Sequence, residues 1–108
     1  MHRRKKLSAN AERRLRTRAE EKLGRARERL ARMQPGGEPG RPIDVASASV
    51  VEAQARSMAC PKCLGPCQVV EHAAETMQGQ RLRIAKVICN HCGSHRAIHF
   101  RIVGDALN

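Results

Sequence analysis

The sequence predicts a small α+β protein: a long basic N-terminal helix, then a three-stranded antiparallel sheet whose turns are clamped by a metal ion. Three observations predict it. A proline-free run striped with leucine and alanine extends from Ala9 to Met33. Two later runs, 81–88 and 96–103, alternate apolar with polar or charged residues at the period of a strand. Two Cys-x-x-Cys pairs, Cys60-Pro61-Lys62-Cys63 and Cys89-Asn90-His91-Cys92, bracket the first of those strands.

The N-terminal segment, 1–34, reads as a basic helical arm. It opens on the cationic tip Arg3, Arg4, Lys5 and Lys6. Ser8 or Asn10 can cap a helix starting near Ala9, because a short polar side chain satisfies an amide that the first turn leaves free. Apolar positions at Leu7, Ala11, Leu15, Ala19, Leu23, Ala26, Leu30 and Met33 step by three and four, which places them on one narrow stripe. Glu12–Arg16, Glu21–Arg25 and Glu28–Arg32 are i,i+4 pairs in the favourable order, each adding a few tenths of a kcal/mol. Gly24 interrupts the run and costs about 1 kcal/mol against alanine.

Residues 35–42, PGGEPGRP, form a Pro/Gly linker that excludes helix and sheet and should let the arm move. Residues 43–57 are expected to form a short helix with Asp44 as N-cap. Its face would be Ala46, Val50, Ala53 and Ser57, with Val51 and Ala55 beside it. The β-branched pair Val50-Val51 leaves a strand open there.

Residues 58–108 carry the metal-clamped sheet. A two-residue spacer lets both sulfurs of a Cys pair reach one ion from a tight turn, and four thiolates suit the tetrahedral preference of Zn2+. Cys60, Cys63, Cys89 and Cys92 are therefore the candidate ligands of one structural zinc. Glycine two residues after Cys63 and one after Cys92, at Gly65 and Gly93, relieves the backbone of each turn. A redox or disulfide pair is the other chemistry such spacing serves. The expected strands are 67–73, 81–88 and 96–103, with a hairpin connection at 74–80. Phe100, the lone aromatic residue in the chain, is the natural centre of a small core. A chain this short and poor in aromatics needs a staple, and metal binding can itself carry folding free energy.

Cys67, the odd cysteine, reads as a small buried thiol rather than a fifth ligand. His91, His95 and His99 follow or lie within the second pair, yet four cysteines already close a structural site. No carboxylate–histidine ligand set points to a catalytic zinc, so a non-enzymatic protein is expected. Antiparallel pairing of the last two strands would put Arg81, Arg83, His99 and Arg101 on one face as a second cationic patch.

The residues quoted above resemble the zinc-ribbon superfamily. CPKC, CNHCGS and RAIHFRIV, within about residues 58–104, are similar to ribbons of transcription factors, RNA polymerase small subunits and ribosomal proteins. The resemblance implies a structural zinc on Cys60, Cys63, Cys89 and Cys92 and binding to nucleic acid or a large nucleoprotein machine. Ribbons that stimulate RNA cleavage resemble one another in an adjacent Asp-Glu pair at the hairpin tip. Here the tip reads Glu75-Thr76-Met77-Gln78-Gly79, which argues against that activity.

Charge points the same way. The formal charge of +11 is concentrated in residues 1–34, where 13 Lys/Arg face 4 Asp/Glu for a net +9; the rest holds 8 against 6, a net +2. Such an arm seeks phosphate or another acidic surface. Arg3, Arg4, Lys5, Lys6, Arg13, Arg14, Arg16, Arg18, Arg81, Arg83 and Arg101 are the candidate nucleic-acid contacts, made mainly to phosphate because aromatic stacking platforms are missing. A protein groove is the other partner the helix suits. No apolar run approaches a membrane span, no signal peptide is legible, and reduced thiols suit the cytoplasm.

Overall fold

In the computed structural model, which describes residues 7–104, the first element is the 25-residue helix α1, Ala9–Met33. Its start follows from Ser8, whose hydroxyl accepts the Ala11 amide at 3.1 Å. Its end follows from Pro35 two residues beyond Met33, since the residue before a proline avoids the helical region. The helix runs unbroken through Gly24, its one buried residue. A Cβ there would lie 3.0 Å from Lys62 Cγ and 3.2 Å from the Lys62 carbonyl oxygen. The glycine is thus a point of close approach between α1 and the first cysteine turn. Gly24, Arg27, Glu28 and Ala31, spaced as one helical face, are the residues of its C-terminal half withdrawn from solvent. The predicted leucine stripe does not dock: Leu15, Leu23, Leu30 and Met33 are 49–60% exposed. None of the predicted i,i+4 ion pairs of α1 is closed. Among the described residues the ion pairs are His72–Glu52, Lys86–Glu71 and Arg101–Asp44.

The connection after α1 is not a free tether. The Arg41 guanidinium donates to the Met33 carbonyl at the helix end. The buried Gly36 carbonyl accepts both the backbone amide of His99 at 2.8 Å and its Nδ1–H at 3.0 Å. These bonds satisfy part of a sheet edge that would otherwise be open.

The sheet has four strands: β1 Ile43–Val45, β2 Cys67–Met77, β3 Gln80–Cys89 and β4 His95–Ile102, in the order β1-β4-β3-β2. β2, β3 and β4 pair antiparallel, as expected. The fourth strand corrects the three-stranded expectation: β1 pairs parallel to β4, Ile43 opposite Phe100 and Val45 opposite Ile102. A three-residue strand is too short to declare a period, and Asp44 mimicked a helix cap. Asp44 instead receives two hydrogen bonds from Arg101, Nε to Oδ1 at 2.9 Å and an Nη to Oδ2 at 3.2 Å. The segment turns helical only later, through a 3-10 turn at Ala48–Val50 into α2, Val51–Ser57. Its buried face is Val51 and Ala55, both fully buried, while Val50 is 40% exposed.

β2 and β3 extend further than their patterns suggested and close through a two-residue turn, Gln78-Gly79, with both residues at positive φ as a tight hairpin requires. A bulge at Val70 shifts the β2 register, so that Val69 opposes Val87 and His72 opposes Ala85. The bulge lets both Val69 and His72 face α2, where His72 Nδ1 meets Glu52 at 3.3 Å. The core forms between this face and α2: Val45, Val51, Ala55, Ala85, Val87, Ile98 and Phe100, with Cys60, Cys67 and Cys89 at the cysteine-rich end. Phe100 is fully buried at its centre. Strand β3 is buried on both faces, since Leu82 and Ile84 are also below 5% exposed. That explains why its apolar–polar alternation is imperfect.

Candidate metal centre and basic surfaces

The two cysteine turns are built on one backbone plan. In the first, the Cys60 amide donates to the Gly65 carbonyl and the Leu64 amide to the Cys60 carbonyl, at 3.0 and 2.7 Å. In the second, the Cys89 amide donates to the Ser94 carbonyl and the Gly93 amide to the Cys89 carbonyl, at 2.9 and 3.0 Å. The fifth residue of each turn takes the left-handed conformation: Leu64 at φ 65° and Gly93 at φ 76°. The first turn therefore places a leucine where its twin uses glycine. Gly65 serves a different purpose from the one its position suggested. A Cβ there would lie 2.8 Å from His91 Cβ, 3.2 Å from Cys63 Sγ and 3.3 Å from Cys89 Sγ. Gly65 is the point at which one turn closes over the other.

That closure brings four sulfurs together. Those of Cys60, Cys63, Cys89 and Cys92 all lie within 4.8 Å of one another. The close pairs cross between turns: Cys60 to Cys92 at 3.7 Å and Cys63 to Cys89 at 3.4 Å. Metal–sulfur bonds of about 2.3 Å put tetrahedral sulfurs about 3.8 Å apart. A disulfide would need about 2.05 Å, and all five cysteines are free. The arrangement fits one structural metal ion held by four thiolates. Cys67 stays outside it, buried, with its sulfur 3.9 Å from the Gly65 carbonyl. Burial pushes its thiol above the usual range, which suits an inert core residue. His91 and His95 are exposed beside the centre and His99 is occupied by Gly36, so no histidine enters the sulfur cluster.

The second turn is prepared for anionic sulfur. The amides of Cys92 and His91 point at Cys89 Sγ from 3.4 and 3.3 Å and draw its thiol down to about 6. Ser94 Oγ sits 3.2 Å from Cys92 Sγ, and its hydroxyl, with its amide, draws that thiol down as well. At Cys63 the Gly65 amide favours the thiolate, but burial and the sulfurs of Cys89, Cys92 and Cys60 outweigh it and push the thiol up. A cation placed between the four removes that mutual repulsion. Ser94 escaped the sequence reading, although a hydroxyl two residues after the last cysteine of CNHCGS is a legible sign of such a bond.

The basic candidates do not converge. Arg3, Arg4, Lys5 and Lys6 lie outside the described residues. Arg13, Arg14, Arg16 and Arg18 are exposed on the part of α1 that precedes its contact with the first cysteine turn. The expected second patch is split by the strand register. Arg83 lies opposite Phe100 and Ile84 opposite His99, so Arg81 and Arg83 share the face of Phe100 while His99 and Arg101 take the other. Arg101 is in addition neutralised by Asp44. A one-residue difference in register sends every side chain to the opposite face, and nothing in the local pattern reveals it.

Between α1 and β4 lies a crevice of about 280 Å³ whose lining includes Glu28, Arg32, Pro61, His95, Arg96 and His99. It marks a partial seam between the arm and the metal-bearing body. No helix among the described residues is long and apolar enough to cross a membrane. Compared with protein-family models, with curated proteins and with solved structures, the chain matches none.

Proposed function

We propose that this is a non-enzymatic zinc-ribbon protein of the cytoplasm that binds nucleic acid or a nucleoprotein complex, of the transcription- or ribosome-associated kind, through its basic arm. The ion is zinc, held by Cys60, Cys63, Cys89 and Cys92; a closed set of four thiolates suits zinc in a structural role and leaves no position for a reacting water. Zinc here acts as a staple, because the sheet and α2 alone enclose a small core. The observation that carries the functional reading is the exposure of the arm's charge: a helix within the +9 segment that closes no ion pair of its own among the described residues. Charge this dense, left without ion pairs along α1 among the described residues, is what a polyanion neutralises.

The test is binding of the full zinc-loaded chain to a labelled 20-base-pair duplex over a series of salt concentrations. Binding that weakens steeply with salt supports the reading. A salt-independent signal, or none at about 50 mM salt, overturns it.

A second reading has its own observation. The leucine stripe of α1 faces solvent, so the helix can also seat a protein partner, the chain acting as a small subunit of a larger assembly. Association that survives nuclease treatment favours this alternative.

A further inference from the structure

We propose that six residues of α1, Arg14, Arg18, Lys22, Arg25, Arg29 and Arg32, form a single phosphate-binding track on an exposed face of the helix. The proposal rests on the nucleic-acid reading above and names the part of the arm that makes the contact.

The helix has three faces. With about 100° between successive residues, Gly24, Arg27, Glu28 and Ala31 form the face turned to the first cysteine turn and β4. Leu23, Ala26, Leu30 and Met33 form a second. The six cations form a third. The leucine and cation faces each stand about 130° from the docked one, on opposite sides of it. Docking through Gly24 is therefore what leaves the cation face exposed, with only its last member, Arg32, also lining the crevice between α1 and β4.

The track is also unbroken. Its members are spaced by 4, 4, 3, 4 and 3 residues, and every residue on that strip between Ala11 and Met33 is Arg or Lys. It spans about 27 Å, with a charge every 4.5–6 Å or so. No ion pair among the described residues engages any of the six. Of the candidate contacts on α1 named from the sequence, Arg13, Arg14, Arg16 and Arg18, only Arg14 and Arg18 belong to the strip. Arg13 and Arg16 fall outside the strip, while Lys22, Arg25, Arg29 and Arg32 fall within it. The signal was legible in their three-and-four spacing, hidden beneath the more familiar leucine stripe.

The regularity decides the class of partner. A nucleic-acid backbone repeats one charge at a fixed interval, so an unbroken cation row meets it at every step. The leucine face is sparser, with alanine alternating at Ala19 and Ala26, and makes a poor groove-filling helix by comparison.

Two double variants of the full zinc-loaded chain test the track at equal net charge. R18Q/R25Q removes two track residues and R13Q/R16Q removes two off-track residues; glutamine retains helix propensity. Each is titrated against the same 20-base-pair duplex across salt, with helix content checked by circular dichroism. The track variant should reduce the slope of log K against log salt by about 1.8, or 0.9 per lost phosphate contact. The off-track variant should change it by less than about a third of that. Equal losses in both variants overturn the track and leave the nucleic-acid reading standing. No binding by the unmodified chain overturns both. Binding to poly-glutamate as tight as to the duplex, with the same dependence on the track, also overturns the proposal in favour of an acidic protein partner.

Discussion

Substituting Gly65 by alanine should weaken metal binding without touching a ligand. The new Cβ would stand 2.8 Å from His91 Cβ, an atom attached directly to the backbone of the opposite turn, and 3.2–3.3 Å from two of the four sulfurs. Restoring ordinary contact requires the two turns to part by over half an ångström or so, since carbon atoms sit about 3.5–4.0 Å apart at optimal separation. Ligand distances tolerate only about 0.2 Å of departure. The strain cannot be absorbed at the metal, so it is borne by the binding equilibrium. Overpacking of this kind costs about 1–3 kcal/mol, which is about 5- to 160-fold in affinity. Competition against a chelator of known affinity measures it directly. Gly93→Ala is the control: its φ of 76° also strains a side chain, but an added Cβ meets nothing within 4 Å. The control should lose about 1 kcal/mol through the backbone alone. Metal affinity of Gly65→Ala within twofold of the unmodified protein would refute the view that this contact sets the distance between the turns.

Four further outcomes are expected. Gly24→Leu drives a side chain into Lys62 and should release α1 from the first turn; hydrogen exchange across residues 24–33 rises while chelator-measured metal affinity holds within about twofold. Lowering pH should release the metal, because protons compete for the thiolates. The depressed Cys89 contributes fully above its unfolded value and loses that contribution as pH falls through about 6. Ser94→Ala, which removes a group that favours the Cys92 thiolate, should move the release midpoint to higher pH, as read by a metal-responsive dye. Phe100→Ala empties the centre of a small core and should cost about 3–5 kcal/mol, seen as a large loss of thermal stability with metal bound.

Several features were legible because their causes are local. The bounds of α1 follow from Ser8 and the proline after Met33, both within a turn of the helix ends. The four sulfurs were identifiable because a two-residue spacer imposes its geometry on each pair independently of the rest. The alternation in 96–103 marked Ile98 and Phe100 as core, since a strand's side chains alternate wherever it is placed. Cys67 reads correctly as a buried thiol, since a free cysteine behaves as a small apolar side chain.

What the tertiary structure decided is which of these local features meet. The pairing of Ile43–Val45 with β4 depends on a partner more than fifty residues away, and three residues carry too little pattern to announce it. The sheet register separates Arg83 from Arg101, a one-step choice that composition does not see. Most telling is α1, whose apolar stripe is the face that periodicity alone picks out. The helix instead approaches through Gly24, because backbone proximity to Lys62 demands the absence of a side chain rather than the presence of an oily one. Periodicity reports the shape of an element; the face it uses is set by long-range packing, where a missing Cβ can outweigh a row of leucines.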